Sequence, residues 1–257
     1  MTALHAGSTR VKEARKLSRR SVRAERRLFL AEGWKAIAEA VAVPDCLVEV
    51  FATADAAGQH PDLLGNVPVH VVDPRAAASL SGTRSPQGIV GVCRFLDRPI
   101  EDALADRVVV ICADVRDPGN AGTVIRTADA VAAGGVVLAG DSVDAYNDKT
   151  VRASVGSLFH LPVTVDVPVI EAISAAKAAG FTVLAADGAG DVDLFDAGEL
   201  LTGRVAWILG NEAWGLPDEV AALADHRVAI PILGRAESLN LSTAAAVCLY
   251  ASARAAR

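Results

Sequence analysis

From Val108 onward the chain alternates at short intervals between apolar runs and stretches with helical spacing. In order these are VVVICADV, a helix from about Gly122, VVLAG, a helix from about Asp148, VTVDV, a helix over Ile170–Ala179, TVLAAD, VAWILG, a helix from about Leu216, RVAIPI and a final helix over Asn240–Ala255. Short strands that are apolar on both faces, each followed by a helix, imply a parallel sheet covered on both sides. Such a sheet binds its ligands at the carboxyl ends of its strands, so function is expected there. The preceding region reads differently. Arg26 to Ala42, RRLFLAEGWKAIAEAVA, has apolar residues at helical spacing, and LVEVFAT, VPVHVV and GIVGVCRF read as strands, with an Ala-rich helix over Pro74–Leu80 between the last two. The expected organisation is a small α/β domain over 1–95, a polar, Pro-containing linker over 96–107 and the larger α/β domain over 108–257.

Three loops at strand ends are unusual in content: DPGNAGTVIRTADA, ILGNEAWGLP (Ile208 to Pro217) and IPILGRAESLNLSTAAA (Ile230 to Ala246). Each combines glycines, which let backbone approach closely, with an amide-bearing or charged side chain: Asn120 and Arg126, Asn211 and Glu212, Ser238 and Asn240. The usual rivals lack their signatures. GAG at Gly188–Gly190 has Asp193 where a dinucleotide fingerprint needs its third glycine, no GxxxxGK[ST] occurs, and none of the five histidines falls in these loops. The four cysteines form no CxxC pair, which suggests neither a disulfide framework nor a metal site and a cytoplasmic protein. No stretch approaches the about 18 apolar residues of a membrane span.

The net charge of −6 conceals an asymmetry. Residues 1–35 hold ten lysines and arginines against three glutamates, a net of +7, which leaves −13 on the rest. A basic arm on an acidic body is a polyanion-binding pattern, the bland alternative being a solvated helix face. Arg10, Lys12, Arg15, Arg19, Arg20, Arg26 and Arg27 are the candidate RNA contacts.

At its three loops the sequence resembles the SpoU/TrmH-type RNA ribose 2′-O-methyltransferases of the SPOUT class. The first family motif matches at Asn120 and Arg126, the second at Gly210-Asn211-Glu212 with Gly215, and the third at Ser238 to Ser242, in the family's order. The N-terminal region resembles, more loosely, the ribosomal-protein-like RNA-binding domain of many members. The resemblance implies a trefoil knot in the C-terminal domain, a homodimer, and S-adenosylmethionine held by Leu209, Gly210, Ile230, Ile232 and Leu239. It also implies catalytic roles for Arg126, Asn120, Glu212, Ser238 and Asn240, and an RNA substrate. Ribosomal RNA is favoured by analogy, with transfer RNA or a non-catalytic role in RNA binding or ribosome assembly as alternatives.

Each role has a plainer competitor. Arg126, a buried-looking arginine on an otherwise small and apolar helix, is the family's proposed catalytic residue. Guanidinium groups keep their proton at neutral pH, so a grip on phosphate is favoured over a role as base. The competitor is an ion pair with Asp129 or Glu212. Asn120 can order its own turn. Glu212 can sit at the N-terminus of the helix near Leu216. Ser238 looks like the N-cap of the last helix, with Asn240 inside the first turn. Trp214 serves equally as interface anchor or base-stacking platform.

Overall fold

A computed structural model describes residues 3–60, 63–65 and 67–256. The chain forms two compact units: one runs up to Leu96 and takes in Tyr146–Phe159, and the other comprises Asp97–Ala145 and the chain from His160 onward.

The first unit opens with two short basic helices, α1 (Thr9–Arg15) and α2 (Arg20–Arg26). It continues through β1 (Leu28–Glu32), α3 (Trp34–Ala42), β2 (Leu47–Ala52), α4 (Ala54–Gln59), β3 (Val69–Val71), α5 (Pro74–Leu80) and β4 (Ile89–Arg94). Its sheet has the order β1-β4-β2-β3, with β4 antiparallel to both neighbours. The expected helical run from Arg26 to Ala42 is therefore two elements. LFLAE pairs with β4 as a half-buried strand, and Gly33, at φ 87°, supplies the corner from which α3 starts. A spacing that suits a helix also left Phe29 and Ala31 on one face of a strand, and pairing with β4 decided between them.

The second unit begins with α6 (Ile100–Ala103) inside the expected linker. This segment is not a free tether, because Ala103 and Leu104 are buried in the unit's core. Then follow β5 (Val108–Ala113), α7 (Pro118–Ala130) and β6 (Gly135–Ala139). The next helix, α8 (Asp148–Ser154), forms where expected but belongs to the first unit. Tyr146 stacks on Phe95 at 3.8 Å, and Phe29 packs on both Tyr146 and Phe159. The larger domain is thus not the continuous stretch 108–257. The remaining elements are β7 (Val163–Val167), α9 (Val169–Ala178), β8 (Thr182–Ala186), β9 (Val192–Asp193), β10 (Val205–Leu209), α10 (Asp218–Ala221), β11 (His226–Ala229) and α11 (Leu241–Ala255).

The seven strands run parallel in the order β7-β6-β5-β10-β8-β11-β9. Every residue of β5, β6 and β10 is buried, as expected of strands covered on both faces. Alternate side chains serve opposite layers. Val109, Ile111 and Ile208 pack with Ala172, Ile173 and Ala176 of α9, whereas Trp207 points the other way and donates its indole N–H to Ser252 Oγ of α11 at 2.9 Å. Among the described residues no helix is long and apolar enough to cross a membrane, and no group of three or more metal-ligating side chains occurs. All four cysteines are buried and free. Burial, reinforced by the charge of Glu212, pushes the Cys112 thiol to about 12, and burial does the same for Cys248, so these two act as small apolar side chains.

Candidate functional site

Strand order brings the carboxyl ends of β5, β10, β8 and β11 side by side. The β5 loop turns into α7 under local control: Asp117 caps the helix by accepting from Asn120 N at 2.8 Å, and Pro118 occupies its first turn. The helix starts four residues before the expected Gly122, which puts Asn120 in its first turn, buried. Across from it, the β10 loop closes on itself. Asn211 and Gly215 exchange two backbone hydrogen bonds of 2.9 Å, Gly215 has φ 70°, and a Cβ on Gly210 would lie 2.4 Å from the Gly215 carbonyl carbon. Asn211 then fastens this loop to the neighbouring one by donating to Asp114 O at 2.7 Å.

This closure projects Glu212 to the start of α7. Its Oε2 accepts from Arg116 N and its Oε1 from Asp117 N, both at 3.0 Å, and Oε1 also accepts from Asn120 Nδ2 at 3.1 Å. Partial burial pushes its carboxyl pKa up, but these donors more than reverse that and hold it below the ordinary value. Glu212 thus serves the N-terminus of α7, not that of the helix after its own loop, which begins only at Asp218.

Asn120 Oδ1 accepts from Asn240 Nδ2 at 3.0 Å, and Asn240 Oδ1 accepts from Ser242 N at 2.9 Å, Ser242 Oγ at 2.7 Å and Thr243 N at 3.4 Å. One end of the network fixes every amide orientation. A carboxylate only accepts, so Asn120 must turn its N–H₂ to Glu212 and its oxygen to Asn240, whose own oxygen is left for the helix. Asn240, not Ser238, is therefore the cap of α11. Ser238 is exposed and lies outside this chain of bonds.

Arg126 is exposed on α7 and pairs with no described residue. Both of its proposed partners are engaged elsewhere: Asp129 pairs with His160 Nδ1 at 2.8 Å, and Glu212 accepts amides. The cofactor candidates divide by exposure. Leu209 and Gly210 are buried at the end of β10 and Ile230 is half-buried, whereas Ile232 and Leu239 are each 37 % exposed. Apolar side chains open to solvent beside close-packed backbone suit an adenosine that needs walls and main-chain polar groups.

A fourth loop, which no motif in the sequence marks as functional, belongs at this edge. Asp187 to Gly190 follows β8, between the loops of β10 and β11. Asp187 Oδ2 accepts from Arg227 Nε and Nη2 at 2.9 and 2.6 Å, Gly190 N donates to Asp187 O, and a Cβ on Gly190 would lie 2.6 Å from Arg227 O. Its one sequence feature is the GAG that fails as a dinucleotide fingerprint.

In the first unit the basic arm divides into two sets. Arg26 and Lys16 pair with Glu13 at 2.8 and 2.6 Å, Arg10 lies 3.4 Å from Glu49, and Arg27 stacks over Phe95 at 4.6 Å. Arg23 is buried and donates to Leu17 O. Lys12, Arg15, Arg19 and Arg20 are exposed and have no partner among the described residues.

Residues 107–250 match the model of the SpoU rRNA Methylase family, and residues 8–91 that of the MRM3-like substrate binding domain. The 23S rRNA (guanosine(2553)-2′-O)-methyltransferase RlmP of Bacillus subtilis is 33% identical over 95% of this chain and 96% of its own length. Among solved structures, the AdoMet-bound rRNA methyltransferase from Sinorhizobium meliloti superposes with a TM-score of 0.84 at 32% identity over 98% of both chains. The SpoU methyltransferase AviRb of Streptomyces viridochromogenes, also in complex with AdoMet, gives 0.86 at 28% identity over 96% of this chain and 97% of that one. With its three motif loops joined by one hydrogen-bond network at the edge of a parallel sheet, the chain belongs to the SpoU rRNA Methylase family.

Proposed function

We infer that the protein transfers a methyl group from S-adenosylmethionine to a ribose 2′-hydroxyl of ribosomal RNA. The observation that carries this reading is the Glu212–Asn120–Asn240 chain, which joins all three loops at the start of the helix that also carries Arg126, exposed and with no partner among the described residues. The names of relatives, 23S rRNA 2′-O-methyltransferases among them, supply the substrate class.

Leu209, Gly210, Ile230, Ile232 and Leu239 would hold the cofactor. S-adenosylmethionine supplies, when bound, an electrophilic methyl on a sulfonium. The chain's own part is to orient the ribose and accommodate the departing proton. Arg126 keeps its charge and donates, which suits a bidentate grip on the phosphate beside the reacting ribose. Glu212 is not a ready base, because its oxygens already accept three N–H groups; it holds Asn120, and through it Asn240, in one orientation. The hydroxyl proton then passes to a phosphate oxygen or to water. Ser238, exposed beside Leu239, fits a contact to the RNA. Lys12, Arg15, Arg19 and Arg20 fit contacts to RNA, whereas Arg10, Arg26 and Arg27 are already engaged with Glu49, Glu13 and Phe95.

The same reading includes a homodimer, supported by the exposed apolar residues Trp214, Leu233 and Tyr250, and sedimentation velocity tests it. To test the activity, the protein is incubated with methyl-labelled cofactor and, separately, large-subunit ribosomal RNA and bulk transfer RNA. The expected result is label in ribosomal RNA at one alkali-resistant linkage, lost in Arg126→Ala. Label in transfer RNA instead would move the substrate, and failure to bind cofactor at all would favour a non-catalytic RNA-binding role.

A further inference from the structure

Within the first unit a pocket of about 120 Å³ opens where the turn after α1 meets the end of α5 and the Tyr146–Phe159 segment. Its lining separates by chemistry. Leu17, Leu30, Leu80 and Tyr146 make an apolar wall, while Arg15, Ser18, Ser79 and Asp148 bring polar atoms to it. The polar set is only partly used. Ser79 Oγ donates to Ala76 O at 2.8 Å and keeps its lone pairs, and Asp148 Oδ2 accepts from Arg152 at 3.0 Å. Arg15 and Ser18 are exposed, with no side-chain partner among the described residues.

This chemistry narrows the occupant. A simple anion would meet the Asp148 carboxylate, and a purely apolar group would make no use of Arg15 or of the Ser18 and Ser79 hydroxyls. A planar heterocycle carrying both acceptors and N–H donors matches the guanidinium, the hydroxyls and the carboxylate, and its faces suit the apolar wall. The volume is small beside pockets that enclose whole drug-sized ligands, and fits one ring system. Lys12, Arg19 and Arg20, free cations on the same arm, supply what the backbone attached to such a ring would need.

We propose that this pocket receives one unstacked base of the RNA substrate, with Arg15 and Asp148 on its edge and Tyr146, Leu30 and Leu80 forming its wall. The proposal rests on the RNA-methyltransferase reading above and adds a subsite to it. Single-stranded and looped RNA is commonly recognised through bases turned out of the stack, and a buried base neutralises no phosphate, so it adds affinity without adding to the salt dependence.

The test measures methyl transfer to large-subunit ribosomal RNA by the full chain, at several salt concentrations, for wild type, Ser18→Phe, Arg15→Met and Arg20→Ala. Ser18→Phe fills the pocket without altering charge, and should raise KM for RNA about tenfold or more with an unchanged salt dependence. Arg15→Met should raise KM as well, again with an unchanged salt dependence, whereas Arg20→Ala, a phosphate contact, should weaken binding and flatten the salt dependence. In the two pocket variants kcat and cofactor affinity should stay within twofold of wild type. Should Ser18→Phe fold poorly, judged by thermal unfolding, Arg15→Met decides the matter, because its site is exposed: a raised KM with a flattened salt dependence would make Arg15 a phosphate contact and overturn the subsite. Wild-type activity with both pocket variants at wild-type KM overturns the subsite alone. A wild type that methylates no RNA overturns the reading beneath it.

Discussion

Arg126 stands exposed without a partner, so its removal should separate function from stability. Arg126→Ala is expected to change unfolding free energy by no more than about 0.5 kcal/mol while lowering methyl transfer at least a hundredfold. Urea unfolding and single-turnover assays check both halves; a destabilised variant with near-normal turnover would mean that the side chain is structural after all. Glu212 presents the opposite case, a charge held by three N–H donors. Its carboxyl pKa is held below the ordinary value, so the stabilisation it gives is fully present above the carboxylate range and is lost as pH falls through the lower, folded-state value. Glu212→Gln replaces an acceptor-only group with one that must aim an N–H₂ at a backbone N–H or at Asn120. The stability gap between wild type and Glu212→Gln should therefore be flat from pH 7 to about 5 and narrow below that. A gap that already closes between pH 7 and 6 would assign the titration to another group.

At the level of the element, Asn240 does two things with one amide: its oxygen caps α11 and its nitrogen reaches Asn120. Asn240→Asp keeps a good cap and removes the donor, setting a carboxylate against Asn120 Oδ1, which cannot turn away without facing Glu212 wrongly. Asn240→Ala loses both functions. The alanine variant should lose about 1 kcal/mol of helix stability, the aspartate variant little of that, and both should lose activity at least tenfold. Activity retained in the aspartate variant would show that the cap alone matters. These elements differ in how far the sequence disclosed them. Strands such as VVVIC and VAWIL were legible because burial on both faces forbids polar residues. The three loops were legible because few residues besides glycine, asparagine and a charge suit such turns. Sequence alone does not choose between Ser238 and Asn240, because Ser and Asn are equivalent as caps in isolation; Asn240 is held in that role by Asn120, 120 positions away. For the same reason Arg126 looked buried: helical spacing gives a face, and only the packed helix says whether that face is covered.

Across the whole molecule, the feature least visible in the sequence is the return of Tyr146–Phe159 to the first unit. Its composition is ordinary, and its neighbours in sequence, β6 and β7, are paired strands of the other unit. What commits it is an aromatic cluster made by tertiary contact: Tyr146 against Phe95 and Phe29, Phe159 against Phe29, and the Tyr146 hydroxyl accepting from Leu96 N at 2.7 Å. Two ion pairs of Arg152, with Asp148 and Glu32, hold α8 on the same body. Stability should follow these contacts and not the order of the chain. Phe29→Ala, at a fully buried ring, should cost the first unit about 3–5 kcal/mol. In native-state hydrogen exchange the amides of α8 should then lose protection together with β1 and β4, while β5, β6 and β10 keep theirs, although α8 lies between β6 and β7 in sequence. Protection of α8 that stays with the parallel sheet in Phe29→Ala would show that the segment folds with its sequence neighbours, and that the aromatic cluster does not decide its allegiance.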